Sequence, residues 1–259
     1  VVALDAAHAA LRRQAGPTQG IRPFLLLVLR DLVLRDGGSP PPVRPGAGPT
    51  AGGSPTLRRL VVVAAAVVAA IVLYRVFLAR PHVTNPHPRG ETIVCFGDSL
   101  TAGTGAPTGA SYPDQLARLI GRPVINAGVP GDTTAAALAR LERDVLARSP
   151  RIVCITLGGN DLKNGVPRDE AFANLGAIVR RIHATGALVV VGGIDIPLLG
   201  RGFGSAYREL AEETGAVLIP DVLDGIMGKP ALMSDTIHPN AEGYARMAAR
   251  FHRALRPYL

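Results

Sequence analysis

The run Ala187-Leu188-Val189-Val190-Val191 carries no polar side chain at any position. A strand with one wet face alternates apolar and polar residues. An unbroken, β-branched run is suited to burial on both faces, as in the interior of a parallel sheet. Thr92–Phe96 and Ile152–Leu157 read the same way, and Pro123–Asn126 and Ala216–Ile219 are shorter versions. Between these runs the apolar spacing changes to that of a helix. Ser111–Ile120 puts Leu116, Leu119 and Ile120 on one side, and Thr134–Arg148 does so with Ala135, Leu138, Leu141 and Val145. Asp169–Thr185 turns Ile178, Val179 and Ile182 inward and stops at Gly186. Ser205–Thr214 and Asn240–Leu255 complete the series. Five strands separated by helices predict one α/β domain over residues 91–259, a parallel sheet with helices on both faces.

The residues before this domain are of a different kind. Residues 1–82 hold ten Arg and three Asp, a net charge of +7, whereas the remainder is nearly neutral at +1. The chain's overall +8 therefore belongs to its N-terminal part. With no basic face, aromatic-interleaved patch or metal-finger spacing in the domain, nucleic-acid binding is excluded. Residues 1–59 are poorly patterned and basic, and are expected to be poorly ordered. Gly37–Pro55 reads as a flexible linker. Leu60–Tyr74 is a run of 15 uncharged, mostly apolar residues, interrupted at Arg75 and continued to Ala79. As a helix, residues 60–80 approach the roughly 30 Å of a bilayer core. They are expected to form a transmembrane signal-anchor, with a cleaved signal peptide and a buried soluble helix as the competing readings. An N-terminal anchor of this kind usually exports the domain attached to it, which predicts an extracytoplasmic catalytic domain. Residues 81–90 read as a Pro-rich spacer.

Four segments carry residues suited to chemistry, and each lies at a strand end or before the last helix. Gly97-Asp98-Ser99-Leu100 follows the first strand. A serine needs an activating base before it attacks a carbonyl. Asn126-Ala127-Gly128 follows the second, and a glycine there lets a backbone N–H approach a ligand. Gly158-Gly159-Asn160-Asp161 follows the third, and an Asn amide can donate to a developing oxyanion. Asp235-Thr236-Ile237-His238-Pro239-Asn240 precedes the closing helix. A histidine acting as base needs a carboxylate to hold its tautomer, and a separation of three residues in a tight turn points both side chains the same way. Taken singly, each segment is an ordinary helix cap, turn or structural histidine; together they are a poor coincidence.

Asp132 is read as a turn-stabilising residue, and His183 and His252 as solvated or capping. Cys95 and Cys154 fall in buried strands and read as small core residues, with a disulfide open only if those strands are neighbours. Apolar Leu198, Leu199 and Phe203, in the stretch after the fourth strand, are expected to wall an acyl or aryl group.

The four segments, in this order, resemble the signature blocks of the SGNH (GDSL-type) hydrolase family. The resemblance covers residues 91–259. It is strongest toward the bacterial arylesterase, acyl-CoA thioesterase and lysophospholipase branch, through Gly97–Gly103, Gly131-Asp132-Thr133 and His238-Pro239-Asn240. It implies a flavodoxin-like three-layer α/β/α sandwich with a parallel five-stranded sheet. It also implies a serine esterase or thioesterase acting on aryl or acyl esters, thioesters or lysophospholipids as small-molecule substrates. The alternative is an O-acetyl esterase acting on cell-envelope carbohydrate. Carried over, Ser99 is the nucleophile, His238 the general base and acid, and Asp235 its partner. Ser99 N–H, Gly128 N–H and the Asn160 side chain form the oxyanion hole. Neither a metal nor an organic cofactor is implied.

Overall fold

Five strands form one parallel sheet, β1 (Thr92–Gly97), β2 (Ile125–Gly128), β3 (Pro150–Thr156), β4 (Leu188–Gly192) and β5 (Val217–Ile219), in the order β2-β1-β3-β4-β5. The structure, a computed structural model of the 259-residue chain, describes residues 55–73, 82–195 and 202–259. The helices are α1 (Pro55–Leu73), α2 (Ser99–Ala102), α3 (Tyr112–Ile120), α4 (Thr134–Asp144), α5 (Gly159–Asn164), α6 (Arg168–His183), α7 (Phe203–Thr214) and α8 (Ala241–Leu255).

The expected sheet is present, and its core runs are buried as their sequences require. Every residue of β4 is buried, as is β1 after Thr92. α3 packs on α8, with Tyr112 stacked on Phe251 at 4.8 Å between ring centroids. α4, α6 and α7 pack in series, with Phe172 edge-on to Phe203 and Tyr207. Right-handed crossovers put these two groups on opposite faces, giving three layers. The strand order reverses between β1 and β3. In open α/β sheets the crevice beyond the carboxyl ends at that point receives ligands. Here it lies between Gly97-Asp98-Ser99 and Thr156-Leu157-Gly158.

Several boundaries differ from the sequence expectation. β2 pairs Cys95 with Asn126 and Gly97 with Gly128, so Ala127 and Gly128 belong to the strand rather than to a turn after it, and the strand begins at Ile125 rather than Pro123. The helix expected over Thr134–Arg148 ends at Asp144. Val145 leaves helical geometry at φ −128°, and Leu146–Arg148 form a 3₁₀ turn. The short helices α2 and α5 lie where caps and turns were expected. Cys95 and Cys154 do sit opposite each other on adjacent strands, but both are free thiols.

The Pro-rich segment is part of the domain from residue 82 onward. Thr84 N–H donates to Gly215 O at 2.8 Å and Arg89 N–H to Gly186 O at 3.0 Å, while the Asn85 amide bonds the carbonyls of His183 and Ala187. Residues 1–54 and 74–81 lie outside the described residues, and with them the basic extension and the end of the expected anchor. α1 begins earlier than that anchor, at Pro55, and exposes Leu60, Val61, Val62, Val67, Val68 and Ile71. Among the described residues no helix is long and apolar enough to cross a membrane.

Candidate active site

Ser99 stands where β1 runs out. Asp98 caps α2, its Oδ1 accepting Leu100 N–H at 2.9 Å, and Ser99 is the first helical residue. The turn needs a glycine before it. A Cβ on Gly97 would lie 2.2 Å from Thr101 Oγ1 and 2.3 Å from Thr156 O. Beneath α2 the hydroxyls of Thr101, Tyr112 and Thr156 form a buried chain with 3.2 Å steps. The first-turn N–H groups of a helix lack intrahelical acceptors, so this end of α2 offers donors beside the serine.

His238 arrives from the loop before α8. Its Nε2 lies 3.0 Å from Ser99 Oγ and its Nδ1 2.7 Å from Asp235 Oδ2. With Nδ1–H donating to the carboxylate, the Nε2 lone pair faces the serine hydroxyl, the arrangement a general base requires. Asp235 Oδ1 accepts the N–H groups of Ile237 and His238 at 2.8 and 2.7 Å. The His238 hydrogen bond and then these two amides hold the Asp235 carboxyl down at about 2, so it is ionised at every working pH. The loop is closed by Ser234 N–H donating to His238 O at 2.9 Å. Asn240 then caps α8 through the N–H groups of Glu242 and Gly243.

Asn160 is the second residue of α5. Its amide donates to Asp132 O at 2.9 Å and reaches Asp98 Oδ2 at 3.4 Å. The structure therefore brings Ser99, His238, Asp235 and Asn160 together. It does not bring Gly128 with them. Gly128 N–H donates to Asn126 Oδ1 at 3.0 Å, and a Cβ on Gly128 would lie 2.2 Å from Ala102 N. Its missing side chain admits α2 against β2 rather than a ligand. Three residues on, Gly131 takes φ +86°, and a Cβ there would meet nothing within 4 Å.

Three participants went unread in the sequence. Asp161 is fully buried and accepts Thr134 N–H at 2.9 Å and Thr134 Oγ–H at 2.7 Å, tying α5 to the start of α4. Arg140 on α4 bonds Asp132, Asp144 and the carbonyls of Gly97 and Ala127. The only sequence signal for Arg140 is its pairing with Asp144 four residues on, which usually marks a solvated face, and Asp161 stood unremarked in the segment singled out for Asn160. Asp98, 2% exposed beside the nucleophile, has its carboxyl raised to about 6 by burial, against the pull of Leu100 N–H and His238.

A cavity of about 270 Å³ opens onto Ser99 and His238, with Leu162, Ile194, Leu223, Met227 and Ile237 supplying apolar walls and Lys163 beside them. Of the expected acyl wall, Leu198 and Leu199 lie outside the described residues. Phe203 is 2% exposed and packs on Phe172, so it belongs to the core and not to the substrate.

A parallel sheet in this order, with a serine at its switch point facing a histidine, defines the class as an α/β ester hydrolase of the SGNH type. Residues 95–246 match the model of the GDSL-like lipase/acylhydrolase family, and the chain belongs to that family. It is 30% identical over 180 residues to the esterase TesA of Pseudomonas aeruginosa, covering 65% of this chain and 90% of that one. It is 34% identical over 163 residues to an arylesterase of Vibrio mimicus, covering 59% and 82%. A crystal structure of TesA matches with a TM-score of 0.62 at 30% identity, covering 65% of this chain and all of that one.

Proposed function

We propose that this enzyme hydrolyses carboxylic esters of apolar acyl or aryl groups, extending to thioesters, through Ser99, His238 and Asp235. The observation that carries the reading is the relay itself, 3.0 Å from His238 Nε2 to Ser99 Oγ and 2.7 Å from Nδ1 to Asp235. Ser99 Oγ attacks the carbonyl carbon as His238 takes its proton. Asp235 stabilises the imidazolium. The carbonyl oxygen becomes an oxyanion, received by Ser99 N–H and by the Asn160 amide, which keeps its 2.9 Å bond to Asp132 O and gives up the longer 3.4 Å contact to Asp98, each such donor contributing about 3–4 kcal/mol to the transition state. We assign the third donor to Gly131 and not Gly128, because Gly128 N–H is already committed to Asn126. His238 then protonates the leaving alcohol or thiol, and water releases the acyl group by the reverse sequence.

The apolar lining of the cavity supports a chain longer than acetyl. Hydrolysis of p-nitrophenyl acetate, butyrate and octanoate tests the reading, with Ser99→Ala as control. We expect activity to rise beyond acetate and to fall at least about a thousandfold in the variant. A preference for acetate, with acetate release from acetylated polysaccharide, would favour the O-acetyl esterase alternative. Turnover undiminished in Ser99→Ala would remove Ser99 from the role.

We also propose that residues 60–80 attach the enzyme to a membrane, with the hydrolase domain outside the cytoplasm. Support comes from the apolar run in the sequence and the row of exposed aliphatic side chains along α1. Recovery of the full chain in the soluble fraction of its cells would end this reading.

A further inference from the structure

The side chain of Arg140 touches more of the site's framework than any residue proposed for the chemistry. It is only 10% exposed and lies over the Phe96 ring, 4.4 Å from the centroid. Nη2 donates to Gly97 O at 2.9 Å, Nη1 to Ala127 O and to Asp144 Oδ2, both at 3.0 Å, and Nε to the Asp132 carboxylate. One guanidinium thus joins the last residue of β1, the neighbouring strand β2, and the loop after β2.

Two of these attachments lie close to proposed reacting positions. Gly97 is followed by Asp98 and Ser99. Gly97 O also accepts Val129 N–H at 2.9 Å, which brings the loop 129–133 against the end of β1. Asp132 offers its side chain to Arg140 and its carbonyl to the Asn160 amide at 2.9 Å. The path from Arg140 to the proposed oxyanion donors therefore runs through two residues to Ser99 and through one, Asp132, to Asn160.

We propose that Arg140 is a positioning residue for ester hydrolysis, its guanidinium setting the spacing between the strand end that presents Ser99 and the loop that orients Asn160. The inference rests on the esterase reading above. A guanidinium suits the task because it holds several donors in one rigid plane. A lysine ammonium in the same place keeps the charge but cannot reach acceptors on three segments at once. Displacement of catalytic groups by about 1 Å costs roughly a hundredfold in rate.

The test compares full-length wild type, Arg140→Lys and Asp132→Asn. It measures kcat and KM for p-nitrophenyl butyrate, the rate of Ser99 labelling by a fluorophosphonate, and the folded fraction by circular dichroism at the assay temperature. Per folded molecule, Arg140→Lys should lose about ten- to a hundredfold in kcat with KM within about threefold of wild type. The labelling rate should fall by the same factor, because the phosphonyl oxygen uses the same donors. Asp132→Asn, which keeps the shape and removes one charge, should lose several-fold in the same two quantities. A merely structural Arg140 would lower the melting temperature and leave kcat per folded molecule within twofold of wild type, and that result overturns the inference. If Arg140→Lys does not fold, unchanged kcat and labelling in Asp132→Asn overturn it instead. Failure of wild type itself to label at Ser99 would bring down the esterase reading and this inference with it, and is distinguished by being independent of either substitution.

Discussion

Asp98 and Asp235 lie on either side of the serine–histidine pair, and their surroundings drive them in opposite directions. Asp98 is buried, and desolvation raises its carboxyl from 3.8 to about 6. Between those values the folded protein holds a proton that the unfolded chain has released. Stability therefore falls as pH rises from about 4 to 6 and is level above that window. Two pKa units correspond to about 3 kcal/mol. Asp98→Asn keeps an oxygen to cap α2 but cannot ionise. Its stability relative to wild type should rise by up to about 3 kcal/mol between pH 4 and pH 8 in urea melts, and parallel curves would show that Asp98 does not titrate in this range. Asp235 is held down at about 2 by its bonds from His238 and two amides, so loss of activity between pH 5 and 7 is not its titration. Asp235→Asn should cost about a hundredfold or more in kcat by leaving the imidazole without a carboxylate to fix its tautomer, measured with p-nitrophenyl butyrate.

At the scale of elements, glycines decide how closely the pieces meet. Gly128→Ala would drive a Cβ to 2.2 Å from Ala102 N, so α2 and Ser99 must move. We expect the variant to lose more than about 2 kcal/mol of stability and most of its esterase activity, read by thermal melts and nitrophenyl ester hydrolysis. Ser111 caps α3 in a reciprocal box with Asp114, and Ser111→Ala should cost about 1 kcal/mol with activity intact. What was legible in the sequence follows the same division. The unbroken apolar runs announced β1, β3 and β4, because a strand buried on both faces has nowhere to put a polar side chain, whereas the edge strands β2 and β5 are only partly buried and their runs are shorter. Ser99, Asn160, Asp235 and His238 could be singled out because each sits at an element's end beside turn residues. The reach of Gly128 was misjudged, since sequence reveals that a close approach occurs but not what approaches. Arg140 was invisible for a related reason: the acceptors that tie it to both strands are the backbone carbonyls of Gly97 and Ala127, which every residue possesses and no pattern marks.

For the molecule as a whole, the described core is built from residue 83 onward, with Val83 packed against it and Thr84 bonded to Gly215. A chain beginning at residue 82 should hydrolyse p-nitrophenyl butyrate with wild-type kcat, whereas one beginning at residue 91 should melt lower for want of those bonds. The relay also spans the domain, since Ser99 and His238 are 139 residues apart. Translation at roughly 5–20 residues per second separates their emergence by about 7–28 seconds. On the proposed mechanism, a growing chain carries its nucleophile without its base for that interval, and cannot cleave an ester until His238 has emerged and settled against Ser99.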